Sequence, residues 1–266
     1  MTQPIASFRE SGAGPAVVCL HANASSSGQW RALMELLAPR FRVLAADSYG
    51  AGKSPPPPPG GARLKDEVHL LEPVLARAGE RFSLVGHSYG GAVALVAATM
   101  LPERIHVRAL YEPTLFALVE AESPPPNDVD GIRNAVASAV AALGAGDPAA
   151  AARFFIDFWM GPSSFDRMPE RNREVIAQAI AQVAGWKRAL LEEPTPLSAC
   201  AALQCPVLLL TGSASPLSSR AVARKLASSL PNVEAVELEG LGHMAPVTHP
   251  ERVNARIVQF LEEHRS

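Results

Sequence analysis

Residues 82–91 read Phe-Ser-Leu-Val-Gly-His-Ser-Tyr-Gly-Gly, and they constrain the fold more tightly than any other stretch. An apolar run of strand length ends in G-x-S-x-G and passes without a spacer into an apolar helical pattern at residues 90–100. A serine at that junction sits on a sharp, strained turn, where a side chain two positions before or after it would strike neighbouring backbone. Gly86 and Gly90 remove those side chains. The spacing predicts a strand, a tight bend carrying Ser88, and a helix whose first amide, that of Tyr89, is aimed at a developing negative charge.

Short apolar runs recur at Ala16–Leu20 and at residues 43–46, 107–111 and 206–211, with a more weakly alternating one at Val233–Leu238. Between most of them, at residues 30–37, 64–78, 220–230 and 251–262, apolar side chains return every three or four positions. This order predicts an α/β fold with a mainly parallel central sheet flanked by helices. The rhythm breaks between residues 113 and 203, which hold no strand pattern but contain alanine-rich helical stretches at 131–143 and 172–188. Pro124, Pro125 and Pro126 open this segment and Pro194 and Pro196 close it, as residues that favour extended connectors over continuing helix. The chain therefore divides into a first core segment (1–112), a helical cap insertion (113–203) and a second core segment (204–266). A further proline run at 55–59 reads as a stiff, polyproline-like surface loop.

With 266 residues, 48% of them hydrophobic, the chain can bury a large core. Its 24 basic and 26 acidic residues leave no bulk positive field for phosphate backbones, so nucleic acid is not an expected partner. The longest mostly apolar run, residues 92–101, has about half of the ~20 residues a membrane-spanning helix needs, and no membrane association is expected. Residues 1–12 lack the basic start and apolar centre of a secretory signal, and the three cysteines include no C-x-x-C pair. Both point to a reducing, cytoplasmic setting. His69, His87 and His106 stand at no metal-ligand spacing, and no metal or other cofactor is expected. Residues 50–54, Gly-Ala-Gly-Lys-Ser, mimic the tail of a phosphate-binding loop. However, Asp47 replaces the required first glycine and five prolines follow where a helix should begin.

Taken together, these motifs resemble the α/β-hydrolase-fold superfamily of lipases, esterases and C–C hydrolases, over nearly all of the chain outside the insertion. The resemblance implies that Ser88 is a nucleophile and that a histidine following the last strand is its base. Here that residue is His243, within Glu239-Gly240-Leu241-Gly242-His243-Met244. His249, before Pro250 at a helix start, is expected to be structural. It also implies an oxyanion hole formed by the backbone N–H groups of Asn23 and Tyr89. The loop after the first core strand reads His21-Ala22-Asn23, with alanine where relatives often carry glycine, and His21 is expected to brace it. Where relatives commonly show Gly-x-x-Asp-Pro, this chain has Gly212-Ser213-Ala214-Ser215-Pro216, and a serine cannot act as an anion. Some members take the acid from the end of the preceding strand, where Glu112 precedes Pro113, so Glu112 is the expected third member of the triad. A capping or surface role for Glu112 is the alternative. Asp47-Ser48-Tyr49-Gly50-Ala51-Gly52-Lys53-Ser54 is similar to a structural loop of the family.

Aromatic residues concentrate in the insertion, and Phe154, Phe155, Phe158, Trp159 and Trp186 are expected to line an apolar substrate pocket or, equally, to pack the insertion onto the core. The expected activity is that of a serine hydrolase cleaving an ester-like bond of a small, largely apolar molecule through an acyl-enzyme. Two other readings are a ligand-sensing module with little turnover, suggested by Ser215, and C–C bond hydrolysis or cofactor-free oxidative chemistry on the same triad.

Overall fold

Side chains alternate along the central strands, so each strand feeds two separate apolar layers. The computed structural model describes residues 4–265; residues 1–3 and 266, at the outer ends of the first and last sequence segments, lie outside the described residues. The first half of the chain contains β1 (Phe8–Ser11), β2 (Ala16–Leu20), α1 (Arg31–Leu37), β3 (Arg42–Ala46), α2 (Leu64–Ala78), β4 (Phe82–His87), α3 (Tyr89–Met100) and β5 (Ile105–Tyr111). Six helices follow with no strand among them: α4 (Ala117–Glu120), α5 (Asp130–Gly144), α6 (Pro148–Met160), α7 (Glu170–Ala179), α8 (Val183–Leu191) and α9 (Leu197–Ala201). The chain then returns to the sheet as β6 (Val207–Gly212), α10 (Leu217–Ser229), β7 (Val233–Leu238), α11 (Ala245–Thr248) and α12 (Pro250–Glu263).

The seven strands form one sheet in the order β1-β3-β2-β4-β5-β6-β7, antiparallel only between β1 and β3. Val17, Cys19, Val43, Val85, Ala109 and Leu208 face one layer with Leu33 and Leu37 of α1 and Ile257 and Phe260 of α12. Val18, Leu20, Leu44, Leu84, Leu110 and Leu209 face the other, where α2, α3 and the helical segment pack. Helix α3 is apolar on every side, and the residues from Tyr89 to Ala98 are buried, as expected of a helix enclosed between sheet and neighbours.

One strand is absent from the sequence reading, and one expected helix is modified. β1 lacks an apolar run, since Phe-Arg-Glu-Ser is largely exposed at the sheet edge, and only its pairing with β3 makes it a strand. The helical stretch at 172–188 is interrupted by a tighter turn at Ile180–Gln182, so it becomes α7 and α8 in succession. Gly61, after the proline run, has φ +86°, and a Cβ added there would lie 2.5 Å from the Cα of Gly185 in α8. The proline loop and the helical segment thus meet backbone against backbone. No helix of the described residues is long and apolar enough to cross a membrane.

Candidate active site

The parallel register brings the site together at the carboxyl ends of the strands. Gly86 pairs with Leu110 and His87 with Tyr111, while Tyr111 pairs with Leu210. One step further, Ser88 N–H donates to Tyr111 O and Glu112 N–H donates to Leu210 O, both at 3.0 Å. Ser88 and Glu112 therefore lie side by side just beyond the ends of β4 and β5.

Ser88 adopts φ 55° and ψ −118°, a conformation that costs an L-residue about 1–3 kcal/mol. Its glycine neighbours explain how it is held. A Cβ on Gly86 would lie 2.7 Å from Gly90 O, and one on Gly90 would lie 2.3 Å from Leu20 O, so the turn closes only around hydrogen atoms. Glu112 also takes a positive φ, 44°.

His243 spans the two. Its Nε2 lies 2.9 Å from Ser88 Oγ and its Nδ1 lies 2.6 Å from Glu112 Oε2. A carboxylate facing Nδ1 places the proton there, so Nε2 is free to accept from the serine hydroxyl. The other carboxylate oxygen, Oε1, accepts the Gly212 N–H at 2.7 Å. Serine, histidine and glutamate are all buried, Glu112 completely. Ser215 stays outside this network: its hydroxyl is buried and has no hydrogen-bond partner.

The His243 loop is fixed from below. Tyr111 Oη donates to Gly242 O, and His87 Nε2–H donates to His243 O, each at 2.8 Å. His87 Nδ1 in turn accepts from Gln29 Nε2 at 3.1 Å, while Gln29 Oε1 accepts the Ala22 N–H at 3.1 Å. One amide side chain thus connects the loop bearing Asn23 to the loop bearing His243. Burial drives the His87 pKa well below the ordinary histidine value, with repulsion from His243 as the second cause, so His87 is a neutral donor in this chain of bonds. From above, the Trp159 indole stacks on the His243 ring with centroids 3.9 Å apart.

Tyr89 opens α3, and its N–H, like that of Asn23, has no protein acceptor among the described residues. Asn23 and Ser88 line the same cleft. The Tyr89 hydroxyl donates to Glu67 Oε1 at 3.0 Å, and Glu67 Oε2 accepts the Tyr49 N–H at 3.1 Å. Burial raises the Glu67 pKa to about 7, against the opposing pull of these two hydrogen bonds.

Two expected bracing roles have direct counterparts. His21 Nδ1–H donates to Ala22 O at 2.7 Å and its Nε2 accepts the Ser48 N–H at 3.1 Å. Asp47 accepts from Ser27 N–H and Ser7 Oγ, both at 2.6 Å, away from His243. The exposed ring of His249 hydrogen-bonds its neighbour Thr248, and its backbone N–H donates to Ala245 O at 2.8 Å. Among the described residues, no group of three or more His, Cys, Asp and Glu side chains could hold a metal ion.

A narrow, apolar cleft lies over Ser88. Phe155, Trp159 and Trp186 line it, together with Phe116, Ile132 and Val136 of α5, and Val183, Leu190 and Leu191 of α8; Phe155 and Trp159 also belong to the buried core, so both expected roles meet in them. Phe154 and Phe158 do not. On α6, positions 155 and 159 share one face, and 154 and 158 are turned about 100° from it. Phe154 is accordingly 48% exposed, and Phe158 packs its edge against Trp159 behind the cleft wall. Sequence reasoning also passed over Thr114 and Lys187. Thr114 lines the cleft beside Ser88, with its buried hydroxyl unpartnered, and donates its N–H to Ser88 O at 3.2 Å. Its place two residues after Glu112 was the available signal. For Lys187 the signal was its position one turn from Val183 and Leu191 on the apolar face of α8.

Comparisons with known proteins agree with this fold. The Alpha/beta hydrolase family matches residues 17–256. Over 254 residues the chain is 25% identical to the pimeloyl-[acyl-carrier protein] methyl ester esterase of Yersinia pseudotuberculosis, covering 94% of each protein. A 100-residue stretch, 37% of this chain, is 36% identical to an uncharacterized protein of Mycobacterium tuberculosis and spans only 29% of that protein. Among solved structures, a thermophilic esterase from Thermogutta terrifontis superposes with a TM-score of 0.78 at 26% identity, covering 98% of this chain and 94% of that one.

Proposed function

We propose, from the premise that the chain belongs to the alpha/beta hydrolase family, that it is a serine hydrolase acting on ester-like bonds of small, largely apolar substrates through an acyl-enzyme. The observation that carries this reading is the unbroken contact from Ser88 Oγ through the His243 ring to the Glu112 carboxylate, closed at one end by an apolar cleft. The esterase names of the Yersinia and Thermogutta relatives support it.

In this mechanism Ser88 Oγ attacks the ester carbonyl carbon as its proton passes to His243 Nε2. The Glu112 carboxylate stabilises the imidazolium that forms, and the N–H groups of Asn23 and Tyr89 hold the oxyanion. Collapse of the tetrahedral intermediate breaks the bond to the alkoxide, which leaves with the proton from Nε2. Water, deprotonated by the same nitrogen, then hydrolyses the acyl-serine. Residues 113–203 act as a cap that shields these steps from bulk water and shapes the acyl side of the cleft. The protein works in the cytoplasm, where Cys19, Cys200 and Cys205 remain free thiols. The missing carboxylate at Ser215 is the best support for the ligand-sensing reading, and the carboxylate 2.6 Å from His243 supports the hydrolase instead.

A fluorophosphonate probe and short-chain p-nitrophenyl esters test the reading. Rapid, stoichiometric labelling of the wild type with multiple turnovers is expected, and Ser88→Ala should abolish labelling and lower turnover by about 10³-fold or more at unchanged thermal stability. Labelling that persists in Ser88→Ala, or single-turnover behaviour of the wild type, would overturn it.

A further inference from the structure

The acyl cleft is apolar except at its reacting end, where Asn23, Ser88 and Thr114 stand, and at Lys187. Lys187 is the one charged side chain among the described residues lining that cleft. It stands on the face of α8 that also carries Val183, Trp186, Leu190 and Leu191, and it is solvent-exposed, which places it at the outer rim of the cleft. Its ammonium has no ion-pair partner among the described residues. The neighbouring Arg188 is directed elsewhere, toward Gly60 of the proline loop, where a Cβ on that glycine would lie 3.4 Å from its Nη1. Glu193, just beyond the helix, is engaged by the N–H and hydroxyl of Thr195.

An unpaired ammonium at the edge of a low-dielectric cleft does nothing for a purely aliphatic chain, and it attracts an anion more strongly there than in open water. We propose that Lys187 selects substrates whose acyl chain carries a carboxylate at the end remote from the scissile ester, that is, monoesters of aliphatic dicarboxylic acids. The chain methylenes fill the space between Trp159 and α8, and the free carboxylate meets Lys187 where the cleft opens to water. This inference rests on the reading of the site as an esterase and names the substrate class it prefers.

The test compares monomethyl esters of the dicarboxylic acids from succinate to sebacate with methyl esters of monocarboxylic acids of the same length, in a pH-stat assay. For the best-fitting length, the wild type should favour the half-ester in kcat/KM by about fivefold, the scale of one favourable partly exposed ion pair, and added salt should reduce the preference. Lys187→Met keeps the aliphatic stem and should erase the preference between the paired esters, and Lys187→Glu should reverse it. Equal rates for the paired esters in the wild type, or a preference that survives Lys187→Met, would overturn the proposal. The esterase reading stands in that case, because neutral esters are still cleaved. If neither ester is turned over, that reading fails, and binding of the paired esters to Ser88→Ala by calorimetry still decides the charge preference.

Discussion

The ends of β5 and β6 lie next to each other beneath the same histidine loop, yet they have taken opposite roles. After β5 the chain places Glu112, fully buried, in the left-handed region and doubly hydrogen-bonded. After β6 it places Ser215, whose buried hydroxyl bonds to nothing. The two ends are nevertheless not independent, because the Gly212 N–H at the end of β6 holds one oxygen of the carboxylate that β5 supplies. Gly212 must also stay bare: a Cβ there would lie 2.2 Å from Leu241 O, in the loop leading to His243. The lesson is that what the imidazole requires is a carboxylate fixed against Nδ1, and either strand end can deliver it, provided the other contributes the backbone that fixes it.

Glu112→Gln breaks the comparison most directly. With an amide facing Nδ1 the imidazolium is no longer stabilised and the tautomer is no longer enforced, so kcat on p-nitrophenyl esters should fall by about 10³–10⁴-fold with the fold intact. A rate near wild type would move the acid elsewhere.

Glu67 sharpens the contrast from the carboxylate side, since it is buried like Glu112 but faces a phenol and an amide instead of an imidazole. Its pKa of about 7 in the folded protein stands above the ordinary 4.5. The folded chain therefore holds a proton that the unfolded chain releases. Stability from this group is complete below pH 4.5, declines as pH rises toward 7, and is flat above. Glu67→Gln should lose this dependence, gaining on wild type by on the order of 3 kcal/mol between acid and mildly basic pH in urea unfolding. Parallel pH profiles for the two proteins would contradict the assignment.

Adding Ser215→Asp to Glu112→Gln asks whether the β6 end can resume the role. The double variant should recover about tenfold of the lost kcat, and no recovery would mean that the loop after β6 no longer reaches Nδ1. The smallest effect is expected from Ser215→Ala alone. Removing a buried, unpartnered hydroxyl should leave kcat unchanged and raise stability by about 1 kcal/mol at most, read from the urea midpoint.

The strand, bend and helix around Ser88 were legible in the sequence because the glycine spacing acts locally, over a few residues. Glu112 came from the resemblance, which implies an acid at the end of the preceding strand, and it is the carboxylate that directly follows the apolar run of β5. What escaped depends on partners distant along the chain. Gln29 bonds to His87 across 58 positions, and nothing in its own neighbourhood marks it. β1 is a strand only because β3 pairs with it. The division of α6 into a cleft face and a solvent face follows from how the helix is rotated over the sheet, so Phe154 and Phe155 look alike until that rotation is known. Lys187 reads as an ordinary solvated side chain until the apolar space on its side of α8 is seen.

The bare meeting of Gly61 and Gly185 gives the cap a bearing without teeth. The two glycines meet with no side chain between them, while Arg188 of α8 reaches Gly60 beside them. A methyl group on either glycine would act as a shim, lifting the helix that carries Trp186 and Lys187. The shape of the cleft over Ser88 is therefore open to change from a loop that contributes no residue to its lining.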